Sequence, residues 1–233
     1  MGTGNEKRQA VKYCCFDLDG VLCDMDRPHF DALNAALATC GPQAVITETE
    51  HFAIFKGLPT RVKLEMLVQA GRVPERMKRE VARLKQEKTI EAIRNLQSDS
   101  RKVDLLRRLA RDRWQLCVCS NAVRNSVREM LLAGRLIGFL AFFLSNEDAP
   151  PKPAPGMYLK AASIFGVSPD RLVVVEDSAP GRASALAAGC KLVAVEGPEE
   201  VGPELIPRLE AAAKEAEWAG TYASSSSVGS AAG

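Results

Sequence analysis

The stretch Val11–Asp24, VKYCCFDLDGVLCD, decides how the rest of the chain is read. It opens on strand-forming residues, Val11, Tyr13, Cys14, Cys15 and Phe16, and is apolar almost throughout. Such a run predicts a strand buried on both faces, as at the centre of a parallel sheet. It breaks at Asp17-Leu18-Asp19-Gly20, where two carboxylates stand two residues apart. Asp and Gly are turn formers, so a plain turn would account for the tetrad. An EF-hand loop would not, because Leu22 stands where the sharp-turn glycine is needed. Carboxylates this close at the end of a buried strand repel unless a cation or a proton lies between them. Open α/β sheets keep their ligands at the carboxyl ends of parallel strands. The stretch is therefore read as an active-site strand.

The chain has 233 residues, which suits one α/β domain carrying an insertion, and it is 46% hydrophobic, enough for a sizeable core. Lys plus Arg number 31 against 29 Asp plus Glu, a balance that gives no reason to expect nucleic acid or an anionic membrane as partner. Of the seven cysteines, Cys14, Cys15, Cys117 and Cys119 lie in apolar strand-like runs, where a thiol behaves as a small hydrophobe. Cys117-x-Cys119 lacks the second pair or neighbouring His of a zinc site. A reducing compartment fits, and a cytoplasmic location is expected, with an organelle left open. No apolar run approaches the length of a membrane span, and MGTGNEKRQA carries neither a signal h-region nor the Ser or Thr of a myristoylation signal.

After the first strand, 25–96 shows only helical patterns. Pro28 to Cys40 is spaced as a helix and ends at Gly41-Pro42; Thr47 to Phe55 and Pro59 to Ala70 follow, then a long helix from Pro74. From Ser98 strands and helices alternate. Ser100 is placed to cap a helix carrying Leu105, Leu106 and Leu109. Leu116 to Cys119 is a strand, Val123 to Leu132 a helix, Phe139 to Leu144 a strand, and 149–155, APPKPAP, a stiff loop. Residues 156–165 are helical, Leu172 to Val175 a buried strand, Gly181 to Ala188 a helix closed by Gly189, and Leu192 to Val195 the last strand. Pro203 to Trp218 reads as one more helix. Alternation of this kind means βαβ units, a Rossmann-like parallel sheet with helices on both faces. The expected organisation is an α/β core of 11–24 plus 97–217, an all-helical insertion over 25–96, and disordered tails at 1–10 and 219–233.

Four polar sites fall just after a buried strand or on the loop beyond it: Asp17/Asp19, Ser120/Asn121, Lys152 and Glu176/Asp177. A parallel sheet gathers all four at one edge. The inventory suits phosphoryl transfer, whose catalysis is mostly positioning and charge stabilisation. A carboxylate at the strand end, Asp17, can attack phosphorus and split one hard step into two. Asp19 points the same way and can serve as general acid and then base. Asp17 and Asp177 together offer hard oxygen ligands that suit Mg²⁺. Lys152 supplies a point charge to the phosphoryl group, and Ser120 a hydrogen bond.

Through FDLDGVLCD, SN, KPAPGMYL and VVVEDSAPG, in that order, the chain resembles the haloacid dehalogenase-superfamily hydrolases. Within them it is similar to the β-phosphoglucomutase and phosphoglycolate phosphatase type, whose helical cap follows the first motif. The likeness runs from Val11 to about Val195. It implies a Rossmann-like core, Mg²⁺, an aspartyl-phosphate intermediate, and metal ligation by Asp17, Asp177 and the Asp19 main-chain carbonyl. Glu176 would stand beside the ligands rather than on the ion. The implied activity is hydrolysis of a small sugar, polyol or glycolate phosphate by a monomer or weak homodimer. A hexose-phosphate mutase is the alternative, and Met25 counts against it where such mutases carry Thr. A non-catalytic binding protein would be expected to have lost Asp17, Lys152 or Asp177. Phe55-Lys56-Gly57-Leu58-Pro59-Thr60-Arg61 resembles the family's specificity loop, which makes Lys56 and Arg61 candidates for substrate binding. His29 fits a cap position facing the site, set against ordinary packing, and His51 is a weaker candidate. The mixed charges of 72–94 read as a solvated face.

Overall fold

The computed structural model describes residues 11–214. Its frame is a five-stranded parallel sheet in the order β3-β2-β1-β4-β5. The strands are β1 (Lys12–Phe16), β2 (Trp114–Cys119), β3 (Phe142–Leu144), β4 (Leu172–Glu176) and β5 (Lys191–Ala194). Strand β1 takes the centre, with Cys15 opposite Cys117 on one side and Val174 on the other. Because side chains alternate along a strand, Cys14, Phe16, Leu116, Val118, Val173 and Val175 form one face of the sheet. Cys15, Cys117, Cys119, Leu172 and Val174 form the other.

Each face is covered by helices. Leu105, Leu106 and Leu109 of α5 (Ser100–Arg111), with Val127, Met130 and Leu131 of α6 (Arg124–Ala133), pack the first. Met157, Tyr158 and Ala161 of α7 (Gly156–Phe165), with Ala185 of α8 (Ala179–Ala187), pack the second. The right-handed crossover rule requires this two-sided cover. Between β1 and β2, residues 25–96 contain no strand. They hold α1 (Asp26–Leu37), the short α2 (Glu48–Glu50), α3 (Thr60–Gln69) and α4 (Lys78–Arg94), with a hydrophobic cluster of their own around Leu33, Leu37, Phe55, Leu64, Leu67 and Val81.

Several boundaries differ from the sequence reading. Thr47 to Phe55 is not one α-helix. Thr47 and Glu50 close a reciprocal capping box, α2 makes a single turn, and His51–Phe55 then widens into a π-helix. Asp99, not Ser100, caps α5, its carboxylate accepting from the Arg101 backbone N–H at 2.8 Å. Aspartate caps as well as serine and stands one residue earlier, which makes Ser100 the first helical residue. The strand expected from Phe139 starts at Phe142, because Ile137–Phe139 forms a 3₁₀ turn. Helix α8 starts at Ala179 because Ser178 caps it, accepting from the Gly181 N–H at 3.1 Å. Beyond a 3₁₀ turn at Pro203–Leu205, residues 206–214 are helical; the expected extension to Trp218 and both tails lie outside the described residues. Among the described residues no helix is long and apolar enough to cross a membrane.

The corrected cap is directly testable. Asp99→Ala is expected to cost about 1 kcal/mol in urea denaturation, the usual value of an N-cap. Ser100→Ala should stay within about 0.5 kcal/mol, as surface changes do. A larger loss at Ser100 would return the cap to that residue.

Candidate active site

The carboxyl edge of the sheet carries a buried ion cluster. Asp17 follows β1 directly, and its backbone N–H donates to the Val175 carbonyl at 2.9 Å, extending the ladder by one residue. Lys152 comes from the loop beyond β3. Its Nζ donates to Asp17 Oδ1 at 2.6 Å, to the Cys119 carbonyl at 2.8 Å, and to Glu176 Oε1. Glu176, the last residue of β4, also accepts from the Tyr158 hydroxyl at 2.7 Å and from Ser178 Oγ at 3.1 Å. Burial alone would lower the Lys152 ammonium, but Asp17 and Glu176 outweigh it and hold the charge well above the usual lysine range. Burial pushes Asp17 up, Glu176 and Asp177 add to the push, and Lys152 opposes it.

Asp177 is held differently. Its side chain is fully buried, and among the described residues no group of the core donates a hydrogen bond to either carboxylate oxygen. The neighbouring charge is Lys56, whose Nζ sits 2.9 Å from Oδ2 and 2.8 Å from Asp26. Oxygens of Asp17, Glu176 and Asp177 lie within 4.8 Å of one another. Glycine 20, at φ +84°, lets the chain pass there: a Cβ on it would fall 2.3 Å from Asp177 Oδ2. A set of buried carboxylate oxygens, those of Asp177 met only by Lys56, fits a hard divalent cation such as Mg²⁺. Glu176 is already committed to Lys152, Tyr158 and Ser178, which leaves Asp17 and Asp177 as the side chains free to ligate.

Asp19 faces the helical insertion. Its Oδ1 lies 3.0 Å from His29 Nε2, and Lys85 Nζ lies 3.3 Å from His29 Nδ1. Burial pushes the Asp19 carboxyl up, but His29, Lys85 and Lys63 outweigh it and lower it below the usual range. Burial and Lys85 lower His29 against the pull of Asp19. Ser120 borders the same space, its Oγ accepting from the Ala122 N–H at 3.0 Å. The Asn121 side chain bonds to backbone throughout. It donates to the Gly57 and Lys152 carbonyls at 2.8 and 3.0 Å and accepts from the Lys152 N–H at 2.9 Å, which ties the insertion to the core.

A cavity of about 560 Å³ lies where these groups meet, and Lys56, Arg61, His29 and His51 all border it. Lys78, Arg79, Lys85 and Gln86 of α4 border it too, so that face of the 72–94 segment is not simply solvated. Met25 points away, into the core beneath the first motif. Sequence reading missed Lys63, Lys85 and Tyr158. Tyr158 sat in an apolar helical stripe, and the two lysines in charged helices, where nothing local distinguishes a cavity-facing lysine from a solvated one.

The model of one family, haloacid dehalogenase-like hydrolase, matches residues 14–195. A probable pseudouridine-5′-phosphatase of Drosophila melanogaster is 29% identical over 202 residues, spanning 83% of this chain and 85% of its own. A phosphorylated carbohydrates phosphatase of Thermotoga maritima is 26% identical over 179 residues, 76% of this chain and 82% of its own. Among solved structures, a β-phosphoglucomutase from Clostridium difficile superposes with a TM-score of 0.73 at 18% identity, covering 86% of this chain and 97% of that one.

Burial lowers Lys63 from 10.5 to about 8, against the pull of Asp19 and Asp26. Below pH 8 the folded and unfolded chains both carry this charge, and the fold bears its whole desolvation cost. Between 8 and 10.5 the unfolded chain alone keeps the proton, so stability rises with pH across that window. At about 1.4 kcal/mol per pH unit, the cost at pH 7 is at most about 3 kcal/mol. Lys63→Met is therefore expected to be more stable than wild type at pH 7, with the advantage shrinking as the pH climbs from 8 to 10.5. Urea denaturation at the two ends of that window measures it.

Proposed function

Since the chain belongs to the haloacid dehalogenase-like hydrolases, we propose that it hydrolyses small phosphate monoesters, as an enzyme of the β-phosphoglucomutase and phosphoglycolate phosphatase type, with Asp17 as nucleophile. The observation that carries this reading is the single ammonium of Lys152, held between Asp17 and Glu176 beside the Asp177 carboxylate, whose charged partner is Lys56 of the insertion. Such a site accepts the negative charge of a phosphoryl group while keeping one carboxylate oriented for attack. An Asp17 oxygen bonds to phosphorus as the ester P–O bond breaks; Asp19, ionised in the free site, takes up a proton as the ester monoanion binds and gives it to the departing alkoxide. Water then attacks the aspartyl phosphate while Asp19 takes the proton, and the P–O bond to Asp17 breaks to release inorganic phosphate. Lys152 holds the phosphoryl oxygens through both steps, Ser120 donates to them, and Asn121 keeps the Lys152 loop against Gly57. The hydrogen bond to His29 supports Asp19 in the proton transfers.

Asp17 and Asp177, with the Asp19 main-chain carbonyl, would hold Mg²⁺. When bound it would neutralise the carboxylates and polarise the phosphoryl oxygens. Residues 25–96 act as the lid that excludes water and reads the alcohol portion, with Lys56 and Arg61 on its specificity loop. The names of the relatives support sugar-like substrates, a pseudouridine phosphate and phosphorylated carbohydrates among them. No observation favours the mutase, and Met25 offers no hydroxyl to the site.

Asp17→Asn should lower p-nitrophenyl phosphate turnover by well over a hundredfold with the melting temperature kept, because an amide does not attack phosphorus. Activity within about tenfold of wild type, a barrier change of only ~1.4 kcal/mol, would sink the nucleophile assignment. Mg²⁺ should raise the melting temperature of the wild type and leave Asp177→Ala nearly unmoved, since a ligand of the native state stabilises by mass action. Equal shifts in the two proteins would put the ion elsewhere.

A further inference from the structure

Tyr158 is wholly buried on α7, among the apolar side chains that cover the second face of the sheet, yet its polar end meets the ion cluster. Its hydroxyl donates to Glu176 Oε1 at 2.7 Å and makes no other hydrogen bond among the described residues. Its ring lies against Lys152, whose Nζ is 5.1 Å from the ring centre. Burial first, and then the charge of Glu176, push the phenol well above its ordinary value, so the proton stays on the hydroxyl. A phenol at this core position of α7, between the apolar Met157 and Ala161, calls for a reason beyond packing.

Glu176 can face two ways. One of its oxygens lies within 4.8 Å of an oxygen of Asp17 and of one of Asp177, close enough for the three to share a cation. Four donors hold it the other way. Oε1 accepts from Lys152 Nζ and from Tyr158, and Oε2 accepts from Ser178 Oγ at 3.1 Å and from the Ser178 N–H at 3.3 Å. A carboxylate offers about four lone-pair sites, and all are taken. Lys152 is shared with Asp17, and the Ser178 donors lie two residues along the same segment. Tyr158 is the neutral donor that reaches Glu176 from a separate helix.

The way Glu176 faces bears on which ion the site prefers. Mg²⁺ binds through few carboxylates in a strict octahedron and keeps several waters, whereas Ca²⁺ takes about six to eight oxygens in a looser shell. A site of Asp17, Asp177 and one main-chain carbonyl suits Mg²⁺. Adding the Glu176 carboxylate would raise both ligand number and charge, from which Ca²⁺ gains more.

We propose that Tyr158 is a positioning residue: its hydroxyl holds Glu176 on Lys152 and off the ion, and so sets the site's preference for Mg²⁺ over Ca²⁺. The proposal rests on the Mg²⁺ site of the reading above.

Tyr158→Phe keeps the ring against Lys152 and removes the hydroxyl alone. Calorimetric titration with magnesium chloride and with calcium chloride, read as the ratio of the two dissociation constants, tests the assignment. Ca²⁺ binding should tighten about tenfold in Tyr158→Phe, the scale on which groups behind the ligands act, and Mg²⁺ binding should stay within about threefold. Adding Glu176→Gln should cancel the gain, since a neutral amide oxygen brings no charge to the ion; a melting curve checks that this double variant is folded. Met157→Ala, which loosens the same helix, should lower the melting temperature and leave the ratio alone. A ratio unmoved by Tyr158→Phe, a gain that survives Glu176→Gln, or an equal shift in Met157→Ala overturns the assignment. If the wild type binds both ions and Tyr158→Phe changes nothing, the metal site stands and only the role of Tyr158 falls. If the wild type binds neither ion, the metal site and the assignment fall together.

Discussion

The ammonium of Lys152 is the point on which this structure depends. It is buried and reaches the ends of three strands at once: Asp17 after β1, the Cys119 carbonyl of β2 and Glu176 of β4. Those partners converge only if the three strands run parallel and in register, as they do with Cys15 beside both Cys117 and Val174. A buried charge cluster of this kind is tolerable only when nearly every member is satisfied. Tyr158 and Ser178 supply the remaining bonds to Glu176, and they come from the helices that cover the sheet on that side. Packing of α7 and α8 is thus coupled to the electrostatics of the site. Close approach matters as much: a Cβ on Gly181 would fall 1.9 Å from Glu176 Oε1.

Charge in the cavity is divided unevenly between the two sides. The sheet edge carries carboxylates around one lysine, and the insertion brings the remaining cations. Lys56 spans the two, bonded to Asp26 of α1 and to Asp177 of the core. Asn121 makes a second tie through the Gly57 carbonyl, and Gln86 a third, donating to Ser126 Oγ at 2.9 Å. Through these contacts the loop Lys56–Gly57 is positioned by residues of the sheet edge, Asp177 and Asn121.

Local patterns carried much of the fold. The all-parallel sheet followed from runs such as Leu172–Val175, apolar at every position, which only a strand covered on both faces can bury. Element ends were less legible, because neighbouring residues compete for the same role. Asp99 and Ser100 both offer an oxygen to the first free N–H groups, and the backbone angle at Asp99 decided between them. The π-helix at His51–Phe55 had no signature in its composition. It arises where the chain adjusts to seat His51 and Phe55 in the interior while Phe52 and Ile54 stay half exposed.

The candidate site divides along the same line. Asp17, Asp19, Ser120, Asn121, Lys152, Glu176 and Asp177 were readable in the sequence because each directly follows a buried strand or sits on the short loop beyond one, and parallel strands point all their carboxyl ends to one edge. The sequence by itself therefore determined the sheet and the polar edge along it. The tertiary structure alone decided what each group meets. A helical lysine looks the same in sequence whether it faces water or a cavity. Folding leaves Lys63 buried, Lys85 partly covered beside His29, and His51 enclosed between Phe30 and Phe52. Contact between segments far apart in the chain is a property of packing, and no local spacing encodes it.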